Sequence, residues 1–220
     1  MNKPSTATGA VIAENSDNEI TQFYIDLLYK MHLTKGARYQ AARRHQRRST
    51  ASIWSIIFLS MYVFSTSAAL SIFGVKIPEN TSSYIVLLNI IMSSFIIAFS
   101  VLEHGKKHDL KAELFLRCAQ SISELYDTVS YEHKTGLTNR EKLEKHLVKY
   151  QKFVNDFSDN HSETDYRTFR INIGKDQGRL IYKIWHKFKY IMDCWSLMWV
   201  SMLFPPIILL LLHYFHTPPL

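Results

Sequence analysis

Long stretches without charge constrain this chain more than any other feature. No Asp, Glu, Lys or Arg occurs in residues 49–75, in residues 80–102 or after Asp193. A helix needs about 20 mostly apolar residues to cross the roughly 30 Å hydrocarbon layer of a bilayer. The first two runs meet that requirement over residues 53–73 and 84–102, and the third meets it in length. We therefore predict two membrane spans and a third, C-terminal membrane segment.

The alternative for each run is a buried helix of a soluble core. Core helices are usually shorter and keep one polar face, whereas the second run, YIVLLNIIMSSFIIAFSVL, is apolar on nearly every side. The third run is interrupted by Pro205 and Pro206, which remove backbone hydrogen-bond donors that lipid cannot replace. The sequence alone leaves open whether this third run spans the membrane.

The fold class that follows is all-α, a transmembrane helical hairpin with long amphipathic cytosolic helices and the third membrane segment. The chain divides into a disordered N-terminus (1–16), amphipathic and basic cytosolic helices (17–50), the hairpin (51–103), a cytosolic helical region (104–189) and the third segment (190–220).

Three cytosolic segments carry apolar residues at steps of three and four, as amphipathic helices do. The stripes are Ile20, Tyr24, Leu27, Leu28 and Met31; then Leu110, Leu114, Cys118, Ile122, Leu125 and Val129; then Leu143, Leu147, Tyr150, Val154 and Phe157. The last stripe is a short coiled-coil-like seam. Gly36 allows a break in the first helix, and TNRE predicts a capping box in which Thr138 and Glu141 cap the third helix.

Basic residues cluster at the outer ends of the hairpin, while the turn between the spans holds one Lys and one Glu. The cluster comprises Arg43, Arg44, Arg47 and Arg48 before the first span, and Lys106 and Lys107 after the second. Lys and Arg near span ends favour the cytoplasmic side, so both ends of the hairpin are expected there. No Lys or Arg follows the third run, which places the C-terminus outside if that run spans.

The four arginines form a collar that binds the anionic inner leaflet, at about 1 kcal/mol for each basic residue. A nucleic-acid site is the alternative, and the net charge of +7 would suit it. The basic residues lie at membrane ends, however, without the interleaved aromatic residues on which bases stack. The collar is therefore interpreted as a lipid-binding and topology-setting element.

Small polar residues form a stripe on each span. The candidates are Asn89, Ser93, Ser100 and Glu103 on the second span, and Ser60, Ser67 and Ser71 on the first. Such stripes allow helices to pack closely and to hydrogen-bond to each other. They can also line a water-filled path in an oligomer. Both interpretations stay open, with helix packing the commoner one.

The segment EHGKKHD places His104 and His108 four residues apart, a spacing that can hold a metal. No third ligand is evident, so we predict an interfacial polar cluster, with no metal and no cofactor. The sequence contains neither a Walker loop nor a G-x-S-x-G motif. We expect no enzymatic activity; a lipid-directed enzyme acting at this interface is the alternative.

The order of these parts resembles a known family. A helix carries KGARYQAARRHQRR into the first span, a tight hairpin leads to the second, and the helix KHDLKAELFLRCAQSISELYDTV follows at once. Over roughly residues 20–160 this pattern resembles the SLATT family, two-transmembrane effectors found beside bacterial nucleotide-second-messenger synthases and nucleotide-sensing SLOG domains. The C-terminal extension resembles the subgroup that lies beside reverse transcriptases.

The resemblance implies a function and brings no catalytic residues with it. It implies a multi-pass protein of the bacterial inner membrane that oligomerises, permeabilises the membrane and causes abortive death of an infected cell. Activation by a nucleotide second messenger or by a reverse transcriptase with its nucleic acid is implied as well. The competing hypothesis is a membrane-anchored adaptor that conducts nothing and works through the Leu143–Phe157 seam.

Overall fold

The computed structural model describes the backbone of residues 6–73, 79–157, 162–174 and 180–216, and the side chains of 18–73, 82–157, 162–174 and 180–208. These residues form helices α1 (Thr6–Phe73), α2 (Glu79–Gly105), α3 (His108–Lys134), α4 (Arg140–Asn155), α5 (Glu163–Asn172) and α6 (Leu180–His216). No strand occurs in the described part of the chain, so the predicted all-α class is confirmed.

Helix α1 joins the basic helix and the first span without interruption, as the sequence predicts. It begins at Thr6, inside the segment 1–16 for which disorder is expected; residues 1–5 lie outside the described part. The break that Gly36 allows does not occur. The backbone remains helical on both sides of this glycine, whose role is explained below by the packing against it.

The chain forms two compact units. One comprises Met1–Arg43 and Ala112–Lys183, and the other comprises Arg44–Lys111 and Ile184–Leu220. The first unit contains the predicted cytosolic helices, and the second contains the hairpin with the C-terminal apolar helix.

The first unit is held together by the apolar stripes of α1, α3 and α4. Its buried core comprises Tyr24, Leu27, Met31, Cys118, Ile122, Leu125, Val129, Leu143 and Tyr150. Leu110, Leu114 and Leu147 belong to the predicted stripes but are exposed. The other members of the stripes are buried or pack against this core, so the predicted stripes are confirmed except at these three leucines.

Helix α5 packs on α1 where the glycine lies. A methyl group built on Gly36 would overlap the Phe169 ring, and the same ring contacts His32 at 5.4 Å between centroids. Glycine is required because the ring occupies the space of a side chain. Ser162 and Asp165 form a capping box that starts α5, which satisfies two backbone donors at this helix end.

The connection between α3 and α4 corrects one sequence prediction. Gly136 ends α3 with a left-handed φ of 70°, as glycine commonly does after a helix. The N-cap of α4 is Asn139, whose side chain accepts from the backbone N–H of Glu141. The predicted Thr138 cap is wrong by one position, because Asn139 is an equally good capping residue.

The second unit contains the membrane helices. Three segments of the described part are helical, long and apolar enough to cross a membrane, and they lie in α1, in α2 and in α6. The hairpin turn at residues 74–78 lies outside the described residues. Helix α6 continues through Pro205 and Pro206, so the expected interruption of the third run does not end the helix.

Candidate functional site

Asn89 is the centre of a polar network between the two spans. Its side-chain oxygen accepts from the Thr66 hydroxyl at 2.7 Å, and its amide nitrogen donates to the Ser67 hydroxyl at 3.0 Å. The Thr66 hydroxyl also lies 2.8 Å from the Tyr62 carbonyl oxygen of its own helix. Asn89 therefore bonds to Thr66 and Ser67 of the other helix, and these bonds hold the two spans in register.

Three other serines of the predicted stripes bond within their own helices. The hydroxyls of Ser71, Ser93 and Ser100 donate to carbonyl oxygens four residues earlier, a common arrangement in membrane helices. Ser60 is exposed. The structure thus brings together only Asn89 and Ser67 of the seven predicted residues, and it adds Thr66.

Tyr62 explains how a double proline fits into α6. In a helix the N–H of residue 206 would donate to the carbonyl of Met202, and proline has no N–H. The Tyr62 hydroxyl donates to that carbonyl at 3.1 Å. A side chain of α1 therefore supplies a donor that α6 lacks, which is the kind of substitution that a helix in lipid requires.

The Asn89 network and the Tyr62 contact meet at a small cavity. The cavity has a volume of about 20 Å³ and is lined by Tyr62, Val63, Thr66, Leu88, Asn89, Met92, Pro205 and Ile208. One water molecule needs roughly 10–15 Å³ measured in this way. The apolar helices α1, α2 and α6 thus all line a small, partly polar cavity that can hold a single water molecule.

The arginine collar makes contacts with α6. Arg48 forms an ion pair with Asp193 at 2.6 Å, and the Arg47 guanidinium lies 5.7 Å from the centre of the Tyr190 ring. Arg43 is exposed. The collar therefore also connects α1 to the start of the third apolar run, a role that the sequence did not predict.

Glu103 is buried at the end of the second span and pairs with Lys106. The next residue, Lys107, separates α2 from α3 and has a φ of 50°. The two lysines of the predicted basic cluster therefore differ in their surroundings. Lys106 forms an ion pair, and Lys107 is exposed at the break between the helices.

His108 contacts His45 of α1, with their Nδ1 atoms 3.1 Å apart. The pKa of His45 is lowered from 6.5 to about 4, first by burial and then by Arg44, His108, Arg48 and Lys111. Burial also lowers the pKa of His108. The pair is therefore neutral at pH 7, and one ring can donate to the other.

The predicted spacing of His104 and His108 does not form a shared site. The helix break at Gly105–Lys107 separates them, and no group of three or more His, Cys, Asp or Glu suitable for a metal occurs among the described residues.

These features define an all-α protein that comprises a hairpin of two apolar helices suited to a membrane and a separate unit of amphipathic helices. The chain belongs to SMODS and SLOG-associating 2TM effector domain family 5, whose model matches residues 20–212. This family comprises two-transmembrane effectors of antiphage conflict systems. No curated protein and no solved structure matches the chain significantly.

Sequence reasoning missed Tyr62, Thr66, the Arg48–Asp193 pair and the histidine pair. One signal was available: Tyr62 and Thr66 lie four residues apart, on one face of the first span. The prolines were a second signal, because a helix that keeps them in lipid needs donors from elsewhere.

Proposed function

We propose that this protein is an effector of the bacterial inner membrane that oligomerises when activated and permeabilises the membrane, causing abortive death of an infected cell. The observation that carries the proposal is the Asn89 network, an amide and two hydroxyls in the middle of otherwise apolar helices. Polar groups inside a membrane are expensive and are typical of ion or solute pathways. Membership in a family of two-transmembrane effectors supports an effector function.

In this proposal the two ends of the hairpin are cytoplasmic and α6 crosses the membrane as a third span. The charge pattern supports this orientation. The Tyr62 contact supports a spanning α6, because it supplies a donor at the point where proline removes one. The chain performs no catalytic step in this scheme.

The test compares two substitutions on α2 in a triggered bacterial culture with a potential-sensitive dye. Asn89→Leu removes the network, while Ser94→Leu changes an exposed serine that donates to its own helix at Ile90. We expect the wild type and Ser94→Leu to collapse the potential and Asn89→Leu to preserve it. Membrane levels of each variant are measured by immunoblot, and Asn89→Thr replaces Asn89→Leu if the latter is degraded.

A non-conducting adaptor remains the second candidate. It is favoured by a groove of about 350 Å³ in the first unit, lined by apolar Ile20, Phe23, Leu143 and Leu147 beside Glu19, Arg140 and Glu144. Phe23 and Leu147 are exposed and are suited to bind another protein. An unchanged membrane potential with abundant, triggered wild-type protein would favour the adaptor and reject permeabilisation.

A further inference from the structure

A groove of about 820 Å³ lies at the basic end of the hairpin, within the second unit. The beginning of the first span and the end of the second contribute Ile53 and Val101, both exposed. Three hydroxyl groups line the same groove, those of Ser49, Ser52 and Ser100. The groove therefore combines apolar walls with hydrogen-bonding groups at the level where the predicted spans leave the hydrocarbon.

Lys107 supplies a positive charge to this groove. It is exposed, and no ion pair to it occurs in the described part of the chain. Its φ of 50° is unusual for a residue other than Gly, Asn or Asp, and such backbone strain is frequent at functional sites. Lys107 lies between the end of α2 and the start of α3. Its backbone conformation therefore also sets the position of its ammonium group.

Two carboxylates line the same groove as Lys107. Asp109 is exposed and has no ion-pair partner among the described residues. The side chain of Glu103 is only 4% exposed; one of its oxygens pairs with Lys106, and the other, Oε2, has no hydrogen-bond partner in the described part of the chain. A buried carboxylate oxygen without a donor is costly, and a bound cation would supply that donor.

We propose that this groove binds a membrane phospholipid whose headgroup carries both a phosphate and a primary ammonium group. The phosphate contacts Lys107 and the serine hydroxyls, and the ammonium group contacts Asp109 and approaches Glu103. The glycerol and the first methylene groups lie against Ile53 and Val101.

The charges of the groove select this headgroup. The phosphate of a purely anionic lipid could contact Lys107, but its headgroup would bring no positive charge to the two carboxylates. A trimethylated ammonium has no N–H to donate to either carboxylate. We expect this headgroup to belong to a lipid, because the groove lies at the predicted membrane boundary. A water-soluble headgroup has no acyl chain to cover the apolar walls.

The first experiment is native mass spectrometry of the full-length chain purified in detergent. The protein is incubated with equal amounts of phosphatidylethanolamine, phosphatidylglycerol and phosphatidylcholine that share the same acyl chains. We expect the ethanolamine lipid to be retained in about fivefold preference, the effect of one favourable charge at a membrane surface. Equal retention of the three lipids, or preference for the glycerol lipid, would overturn the proposal.

A second arm adds free phosphoethanolamine in large excess. We expect it to leave the bound lipid in place. Displacement would show that the site recognises a soluble phosphorylated amine, and the lipid assignment would then be wrong.

Two variants test the contacts. Lys107→Gly keeps the left-handed backbone, which glycine adopts readily, and is expected to lower retention of all three lipids about fivefold. Asp109→Asn is expected to retain lipid but to lose the distinction between ethanolamine and choline headgroups. Lys152→Gln, which removes an exposed charge of α4 outside the groove, is the control. Wild-type binding by Lys107→Gly would refute the assignment.

The inference is independent of the proposed function, because lipid retention is measured without any permeabilisation. An effector that fails to depolarise membranes can still bind this lipid, and the reverse also holds.

Discussion

The contact between Tyr62 and the Met202 carbonyl leads to a test by double-mutant cycle. Tyr62→Phe removes the hydroxyl that donates at 3.1 Å and leaves the aromatic ring in place. Pro206→Ala restores the N–H that a helix offers to the same carbonyl. If the tyrosine replaces the missing helical bond, its removal should matter only while residue 206 is proline.

The magnitude follows from the surroundings of this bond. Hydrogen bonds between membrane helices contribute about 0.6 kcal/mol on average and up to about 1.7 kcal/mol. The Tyr62 bond belongs near the upper end, because its acceptor has lost a helical donor and lipid offers no substitute. We therefore expect Tyr62→Phe to lower the free energy of unfolding by about 1–1.7 kcal/mol, and by less than about 0.5 kcal/mol in the Pro206→Ala background.

The assay is equilibrium unfolding of the full chain in mixed detergent micelles, with all four proteins measured under the same conditions. Pro205→Ala provides the matched control, because the N–H that it restores faces the carbonyl of Ser201, four residues earlier, and not that of Met202. Tyr62→Phe should retain its full effect beside Pro205→Ala. Equal effects in both proline backgrounds would refute the proposed compensation.

Three further substitutions test other contacts. Gly36→Ala should weaken the packing of α5 on α1 by about 1–2 kcal/mol despite alanine's better helix propensity, because the Phe169 ring must move. Hydrogen exchange of the α5 amides measures this change. Gly105→Ala is the control, because its added methyl group would have no neighbouring atom within 4 Å. Asn139→Ala should destabilise α4 by about 1 kcal/mol in thermal unfolding, while Thr138→Ala should change little. The folded state disfavours protonated His45, so the free energy of unfolding should be constant above about pH 6.5 and fall as pH decreases towards about 4, by about 1–2 kcal/mol after solvent screening. A pH titration of unfolding should show a smaller loss in His45→Gln than in the wild type, because only His108, whose pKa burial also lowers, still contributes.

Local patterns in the sequence were sufficient to predict the amphipathic parts of α1, α3 and α4 and the core that they form in the first unit. Uncharged runs of span length and stripes at steps of three and four depend on neighbouring residues in the chain, so they can be recognised without tertiary structure. Tyr24, Ile122 and Tyr150 were assigned to buried faces in this way and are buried. Leu110 and Leu147 were assigned by the same pattern, but nothing covers them within the described residues.

The candidate site was predicted only in part. Asn89 stands out because an amide is rare in an apolar span, and in the structure it contacts the other helix of the hairpin. Which hydroxyls it meets depends on the register between α1 and α2. That register placed Thr66 beside Asn89 and left Ser60 exposed.

The sequence by itself determined which segments are helical, which of them are apolar enough for a membrane and where positive charge is concentrated, because each property follows from residues close together in the chain. Only the tertiary structure decided the pairings of Tyr62 with the Met202 carbonyl and of His45 with His108, and the placement of Phe169 against Gly36. These contacts join residues 63 to 140 positions apart. Such contacts form only when helices pack at one particular rotation and offset, and no local periodicity specifies either quantity.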